Sequence, residues 1–451
     1  MNRLFASVVA AFALTACGSG GGATGPGPIP NPTPTPTPTP RPSAQIQHVV
    51  IIFQENRTVD NLFNGFPGAD TVTSGPNSAG STVALQPIDL ATPYDLDHSH
   101  RGFTTEYAAG AMNGFDLVGS GPCKSVCPPK NLRAYGYVPP SQTGPYWSMA
   151  QQYAFADRMF QTNEGPSFPA HQYIISGTSL ASTSSPLLFA ENPAVPGGGT
   201  TAGCDSPAGT LADLIDPSTG DESQKAPPCG DHPALFDLLD QHGVSWRYYQ
   251  PNLGAGLWNG PDALTHIRNG PDYANVRTPN TAILTDIQNN ALPAVSWVIP
   301  TAAESDHANS TDGSGPEYVA SIVNAIGNSP YWSTTAIFVT WDDWGGWYDH
   351  VKPQSYNAYE LGFRVPLIVI SPYAKPGYVS HVQHEFGSIL RFTEETFGLG
   401  SLGYTDARAD DLADCFSLTG APNAFRTIQA NRRADYFLHL APDRRPPDDD
   451  F

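Results

Sequence analysis

Four short runs of the chain are apolar almost without interruption. They are Gln47 to Gln54 (QHVVIIFQ), Ala294 to Ile299 (AVSWVI), Thr335 to Thr340 (TAIFVT) and Val365 to Ile370 (VPLIVI). A strand covered on one face alternates apolar and polar residues, so unbroken Val/Ile-rich runs of this length predict buried parallel strands. Stretches with helical spacing lie between them. Pro316 to Ile326 opens with a proline, which a first helical turn tolerates. Pro233 to His242 stops before Gly243, and Glu385 to Phe397 stops before Gly398. Alternating strands and helices predict an α/β fold with a mostly parallel central sheet and helices on both faces. Residues 64–145 and 185–230 are loop-rich and read as insertions over that sheet.

The amino terminus follows another pattern. Arg3 precedes an apolar stretch from Leu4 to Leu14, too short to span a bilayer, which reads as an export signal. It ends in Leu14-Thr15-Ala16-Cys17, a pattern similar to a bacterial lipobox, so residues 1–17 are expected to be a lipoprotein signal with lipid on Cys17. Residues 18–44 form a Gly-rich and then Pro/Thr-rich linker, the second half a stiff polyproline spacer. The expectation is an exported lipoprotein of the bacterial envelope, tethered to a membrane, with its folded domain at 45–451. Outside the cytoplasm disulfides are allowed, and Cys123 with Cys127 and Cys204 with Cys229 are natural pairs, leaving Cys415 over. The net charge of −20 repels phosphate backbones, which argues against nucleic acid as a partner. A small anionic substrate then needs a local cation to offset that field.

In open α/β sheets, ligands bind beyond the carboxyl ends of the strands. Three of the apolar runs end in polar clusters: Glu55-Asn56-Arg57, Asp342-Asp343 followed by Gly345-Gly346, and Glu304-Ser305-Asp306-His307. Glu55, Asn56, Asp342 and Asp343 offer hard oxygen ligands for a cation of the Mg, Ca or Mn type. Adjacent aspartates buried without a cation would repel each other. Ser167 follows Gly165-Pro166 and precedes an apolar helical stretch, so it is expected at or near a helix N-cap, where backbone N–H groups favour an incoming phosphate.

These segments resemble the bacterial phospholipase C and acid phosphatase family, itself similar to the wider alkaline-phosphatase-like group. ENRTVDNLFNGFPG resembles its E-N-R-S-F-D-x-x-F-G opening, with Thr58-Val59 in place of the usual Ser-Phe. GPSFPAHQYIISGTS resembles its nucleophile segment, and WDDWGGWYDHV its D-[DE]-x-G-G-x-[FY]-D-H-V segment. LGFRVPLIVISPYAKPG, HEFGSILRFTEETFG and DARADDLADCF follow in family order. The resemblance implies that Glu55, Asn56, Ser167, Asp342 and Asp343 hold one divalent metal ion. Ser167 would be the nucleophile that forms a phosphoseryl intermediate. His98 and His307 would bind phosphate or protonate the leaving alcohol. His350 would orient Asp342 or Asp343 or contact substrate, Gly345 and Gly346 would let backbone approach the site, and His171 would lie on the helix behind the nucleophile. The end of the chain at Phe451 leads to the expectation that the extra carboxyl-terminal domains of many secreted phospholipases C are absent, which tilts the substrate toward general phosphate mono- or diesters.

Two other readings compete. A non-catalytic surface lipoprotein on the same fold has no reason to keep Ser167 and four oxygen ligands together. A sulfate-ester hydrolase of the wider group needs C/S-x-P-x-R, and this chain has His171 where the arginine belongs.

Overall fold

The apolar run after Gln47 becomes the strand His48–Gln54, buried from Val49 onward and hydrogen-bonded in parallel on both sides. Its neighbours are Val295–Val298 and Thr335–Trp341, two of the other apolar runs. The computed structural model describes residues 45–419, 421–443 and 445, so the export signal, Cys17 and the proline spacer lie outside the described residues. Eight strands form the central sheet in the order Val276–Arg277, Trp246–Tyr249, Val295–Val298, His48–Gln54, Thr335–Trp341, Leu367–Ile370, Ala154–Ala156 and Tyr378–Ser380. Leu367–Ile370, expected to be parallel, is antiparallel to both of its neighbours. A strand buried on both faces needs the same apolar residues in either direction, so its composition carries no direction. The remaining pairings in this sheet are parallel.

The helices start and stop where the chain chemistry directs. Gly315–Gly327 carries Pro316 in its first turn, and Phe386–Phe397 ends at Gly398 with φ of 66°. Leu235–Gln241 is two residues shorter at its start than its pattern suggests. Gly144–Gln152, Ala282–Gln288 and Ala434–Leu438 pack on Gly315–Gly327, while Ser167–Ser176 packs on Phe386–Phe397. Among the described residues no helix is long and apolar enough to cross a membrane.

The insertions are more ordered than their sequence suggests. The first builds its own aromatic core, in which Tyr94, Phe103, Phe115 and Tyr135 pack with Trp344 and Trp347 from beyond the central strand. The second folds into a small antiparallel sheet of Leu188–Phe189, Ala212–Asp216 and Asp221–Ala226. Cys123 is bonded to Cys127 and Cys204 to Cys229, and Cys415 is a buried free thiol.

His100, at the start of the helix His100–Tyr107, ties these parts together. Its imidazole meets Glu222 of the second insertion and lies 3.7 Å from Glu164, which precedes Ser167 by three residues. Burial opposes its charge, but the hydrogen bonds and charges of Glu164 and Glu222 outweigh burial and raise its pKa from 6.5 to about 9. A folded-state pKa above the unfolded value stabilises the fold fully below about pH 6.5, and that stability is lost as the pH rises through about 9. The thermal midpoint of the wild type is therefore expected to exceed that of His100→Ala most at pH 6, with the gap shrinking steadily toward pH 9.5. A gap independent of pH would show that the contact is not ionic.

Candidate active site

The sheet register builds the site. Gln54 pairs with Trp341 at the carboxyl ends of adjacent parallel strands, so Glu55-Asn56 and Asp342-Asp343 leave the sheet side by side. The N–H groups of Asn56 and Asp343 both donate to Asp342 Oδ1, at 2.9 and 2.7 Å. The Gly345 N–H donates to Asp343 Oδ1 at 2.7 Å. Gly345 and Gly346 have φ of 63° and 70°, and a Cβ on Gly345 would fall 2.5 Å from the Asn56 carbonyl oxygen. Only glycine allows that turn and that approach together.

Ser167 is the first residue of the helix Ser167–Ser176, one position inside the Pro166 N-cap, and the whole helix is buried. Its Oγ lies 3.5 Å from Glu55 Oε2 and 3.4 Å from Asp343 Oδ2. The next N–H, that of Phe168, donates to Asn192 Oδ1 at 2.9 Å, so the second insertion clasps the same helix end.

Glu55, Asn56, Ser167, Asp342 and Asp343 have no exposed surface. Within this group Asn56 Oδ1, Asn56 Nδ2 and Asp342 Oδ2 are enclosed and have no hydrogen-bond partner. An enclosed polar atom left unmet costs about 1–3 kcal/mol, and an isolated buried carboxylate far more. Carboxylates, an amide oxygen and a hydroxyl converging on one point are the donor set of a hard divalent cation, so the residues fit such an ion.

His171 also enters this group. Its Nε2 lies 3.1 Å from Glu55 Oε1, and ligand atoms of Glu55, His171 and Asp342 lie within 4.8 Å of one another. It lies on the helix Ser167–Ser176, as expected, and its ring reaches the carboxylates of the site. Ser167 and His171 are four residues apart on one helix and so share a face, a signal present in the spacing.

His98 and His307 face each other edge to face, with ring centroids 5.7 Å apart. Trp258 lies between His307 and His171, at centroid distances of 6.5 and 6.2 Å, and links this pair to the carboxylates. His98 Nδ1 is 2.7 Å from the Leu96 carbonyl oxygen, and His307 Nδ1 is 2.7 Å from that of Ala308. A carbonyl only accepts, so each Nδ1 carries the proton, and a change of protonation falls to Nε2.

His350 is placed elsewhere. Past Gly346 the chain turns onto the 60–70 segment, where His350 Nδ1 lies 2.6 Å from Asp60 Oδ2 and Nε2 lies 3.1 Å from Asp70 Oδ1. It touches neither Asp342 nor Asp343 in this way, and its partners are those of a buried ion network with Arg364 and Asp349. The third polar cluster likewise contributes His307 alone. The Asp306 carboxylate accepts from Tyr146 Oη and Trp341 Nε1, both at 2.9 Å, and burial raises its pKa to about 6. Glu304 accepts from Asn280 and Thr301.

A model of proteins described as the phosphoesterase family matches residues 46–400. Non-hemolytic phospholipase C of Burkholderia pseudomallei is 24% identical over 420 residues, covering 78% of this chain and 55% of that protein. Phospholipase C B of Mycobacterium tuberculosis is 24% identical over 449 residues, covering 84% of this chain and 79% of that protein. Non-specific phospholipase C6 of Arabidopsis thaliana is 22% identical over 426 residues, covering 84% and 74%. The chain thus spans little more than half the length of the Burkholderia relative. A solved protein of the alkaline phosphatase superfamily from Vibrio parahaemolyticus is 10% identical, with coverage of 84% and 74% and a TM-score of 0.39. The lipoteichoic acid synthase LtaP of Listeria monocytogenes is 9% identical, with coverage of 82% and 76% and a TM-score of 0.40. Likenesses of that grade carry no argument about the site.

Proposed function

The chain belongs to the phosphoesterase family, and from that premise we propose that it is a metal-dependent hydrolase of phosphate esters with Ser167 as nucleophile. The observation that carries this reading is the enclosed convergence of Ser167 Oγ on Glu55 and Asp343, beside the unmet side-chain atoms of Asn56 and Asp342. Glu55, Asn56, Ser167, Asp342 and Asp343 would hold one divalent ion. When bound, that ion would neutralise phosphate charge and favour the ionised serine hydroxyl.

Ser167 Oγ attacks phosphorus, the bond to the leaving alcohol breaks, and a phosphorylated serine forms; water then cleaves the new P–O bond and releases phosphate from a monoester, or a phosphate monoester from a diester. His307 and His98, with Nδ1 fixed by carbonyls, present Nε2 to the substrate. One hydrogen-bonds a phosphate oxygen and the other gives its proton to the departing alkoxide, which would otherwise leave as a strong base. His171 donates to Glu55 Oε1 and so keeps Oε2 of the same carboxylate on the Ser167 side. Burial of the whole group excludes bulk water and strengthens these electrostatic contacts.

Exhaustive chelation is expected to abolish hydrolysis and to lower the thermal midpoint, because the carboxylates then repel one another, and Mg, Mn or Ca is expected to restore both. Full activity in protein with no metal detectable by elemental analysis would overturn the metal assignment. The names of the relatives favour a phospholipase C substrate within the same chemistry. Release of choline phosphate from phosphatidylcholine, with no turnover of nitrophenyl phosphate, supports that narrower reading; the reverse pattern supports a monoesterase.

A further inference from the structure

Three side chains of different chemistry converge at the sheet margin formed by Tyr378–Ser380. His384 stands just before the helix Phe386–Phe397, and Asp414 and Cys415 belong to the short 3-10 helix Ala413–Cys415. One ligand atom of each lies within 4.8 Å of the other two. His384 Nε2 is 3.6 Å from Asp414 Oδ1. Around a tetrahedral zinc ion, N, O and S ligand atoms stand roughly 3.3–3.8 Å apart. His384 and Cys415 are buried, and Cys415 is a free thiol where Cys123, Cys127, Cys204 and Cys229 are paired.

The imidazole is oriented as a ligand. Its Nδ1 lies 2.6 Å from Asp410 Oδ1. A carboxylate only accepts, so Nδ1 carries a proton, and Nε2 is left to face Asp414. Ser380 Oγ meets Nε2 at 3.1 Å and also Asp414 Oδ2, but its single proton serves one of them. Asp414 Oδ1 is enclosed with no hydrogen-bond partner. The Asp410 and Asp414 side chains are 29% and 21% exposed, which gives an ion a way in from the surface.

We propose that His384, Asp414 and Cys415 hold a zinc ion, separate from the ion at Ser167, that pins the start of the helix Phe386–Phe397 to the turn Ala413–Cys415. The ion displaces the thiol proton to solvent, and its two charges are met by the thiolate and the Asp414 carboxylate. Sulfur and imidazole donors select zinc over the Mg and Ca class. The competing state is an imidazolium shared by Asp410 and Asp414, in which sulfur takes no part.

Cobalt separates the two, because a cobalt–thiolate bond adds a near-ultraviolet charge-transfer band. The full chain carrying Cys17→Ala, which removes the other thiol, is stripped with chelator and titrated with cobalt without oxygen. The band is expected to saturate at one ion per chain and to vanish when zinc is added. Cys415→Ser keeps the shape and should lose the band. Asp414→Asn keeps both shape and sulfur, and should retain the band while weakening cobalt at least about tenfold. Thermal midpoints in chelator that match the parent show that the variants are folded. No thiolate band in the parent, a band that survives Cys415→Ser, or an unchanged cobalt affinity in Asp414→Asn overturns the site. The hydrolase reading stands in each case, because its reaction uses none of these residues.

Discussion

Replacing Ser167 with alanine is expected to lower kcat for any phosphate ester by at least about a thousandfold, since it removes the atom that forms the covalent bond. The fold should barely notice. The hydroxyl makes only long contacts, 3.4 and 3.5 Å, to two carboxylates, and the backbone of the helix Ser167–Ser176 does not depend on it. Ser167→Ala should therefore match the wild type in thermal midpoint while losing its activity. Mass spectrometry adds an independent readout: acid quenching during turnover should trap a phosphate on Ser167 in the wild type and none in the variant. A variant that keeps kcat within about tenfold of the wild type would remove Ser167 from the chemistry and leave a water as the attacking group.

Arg364 carries the largest expected effect on stability. It is fully buried and grips Asp349 with two parallel contacts, Nε to Oδ1 at 2.8 Å and Nη2 to Oδ2 at 3.0 Å. Its Nη1 donates to the backbone oxygens of Asp70 and Asp157, at 3.0 and 2.9 Å. Arg364→Ala strips the main cation from Asp349 and a second one, 3.6 Å away, from Asp60, and leaves two enclosed carboxylates close together. Removing one partner of a buried ion pair costs about 3–5 kcal/mol, and denaturant unfolding should register a loss of that size. Lysine should not rescue it, because an ammonium cannot form the two-pronged contact. A loss below about 1 kcal/mol would mean that the carboxylates reorganise with water or protons once the guanidinium is gone.

Much of the sheet was legible because its central strands are covered on both faces and must be apolar throughout. Its margins were not. Ala154–Ala156, Val276–Arg277 and Tyr378–Ser380 are two or three residues long, below the length at which a period exists. The direction of Leu367–Ile370 is a property of its connections and not of its residues. In the site, Glu55, Asn56, Asp342 and Asp343 could be read together because each directly follows an apolar run, and strand ends of one sheet meet at one edge. The likeness to the family motif misled for His350, where two left-handed glycines send the chain elsewhere. His171 was placed on the helix behind the nucleophile but given no part in the site, although its helical offset from Ser167 put it on the site face, because a histidine on an apolar helix reads as packing.

Asn56 has a φ of 59°, in the left-handed region that most side chains avoid. That angle and its buried neighbours leave this position few substitutes. Glycine adopts the conformation freely but brings no oxygen. Aspartate tolerates it and brings an oxygen, at the price of another negative charge among three carboxylates. Branched and bulky residues fail on the backbone alone. A survey of functional variants should therefore find asparagine at this position more stubbornly kept than the packing residues around it, although it sits in a turn and fills little volume.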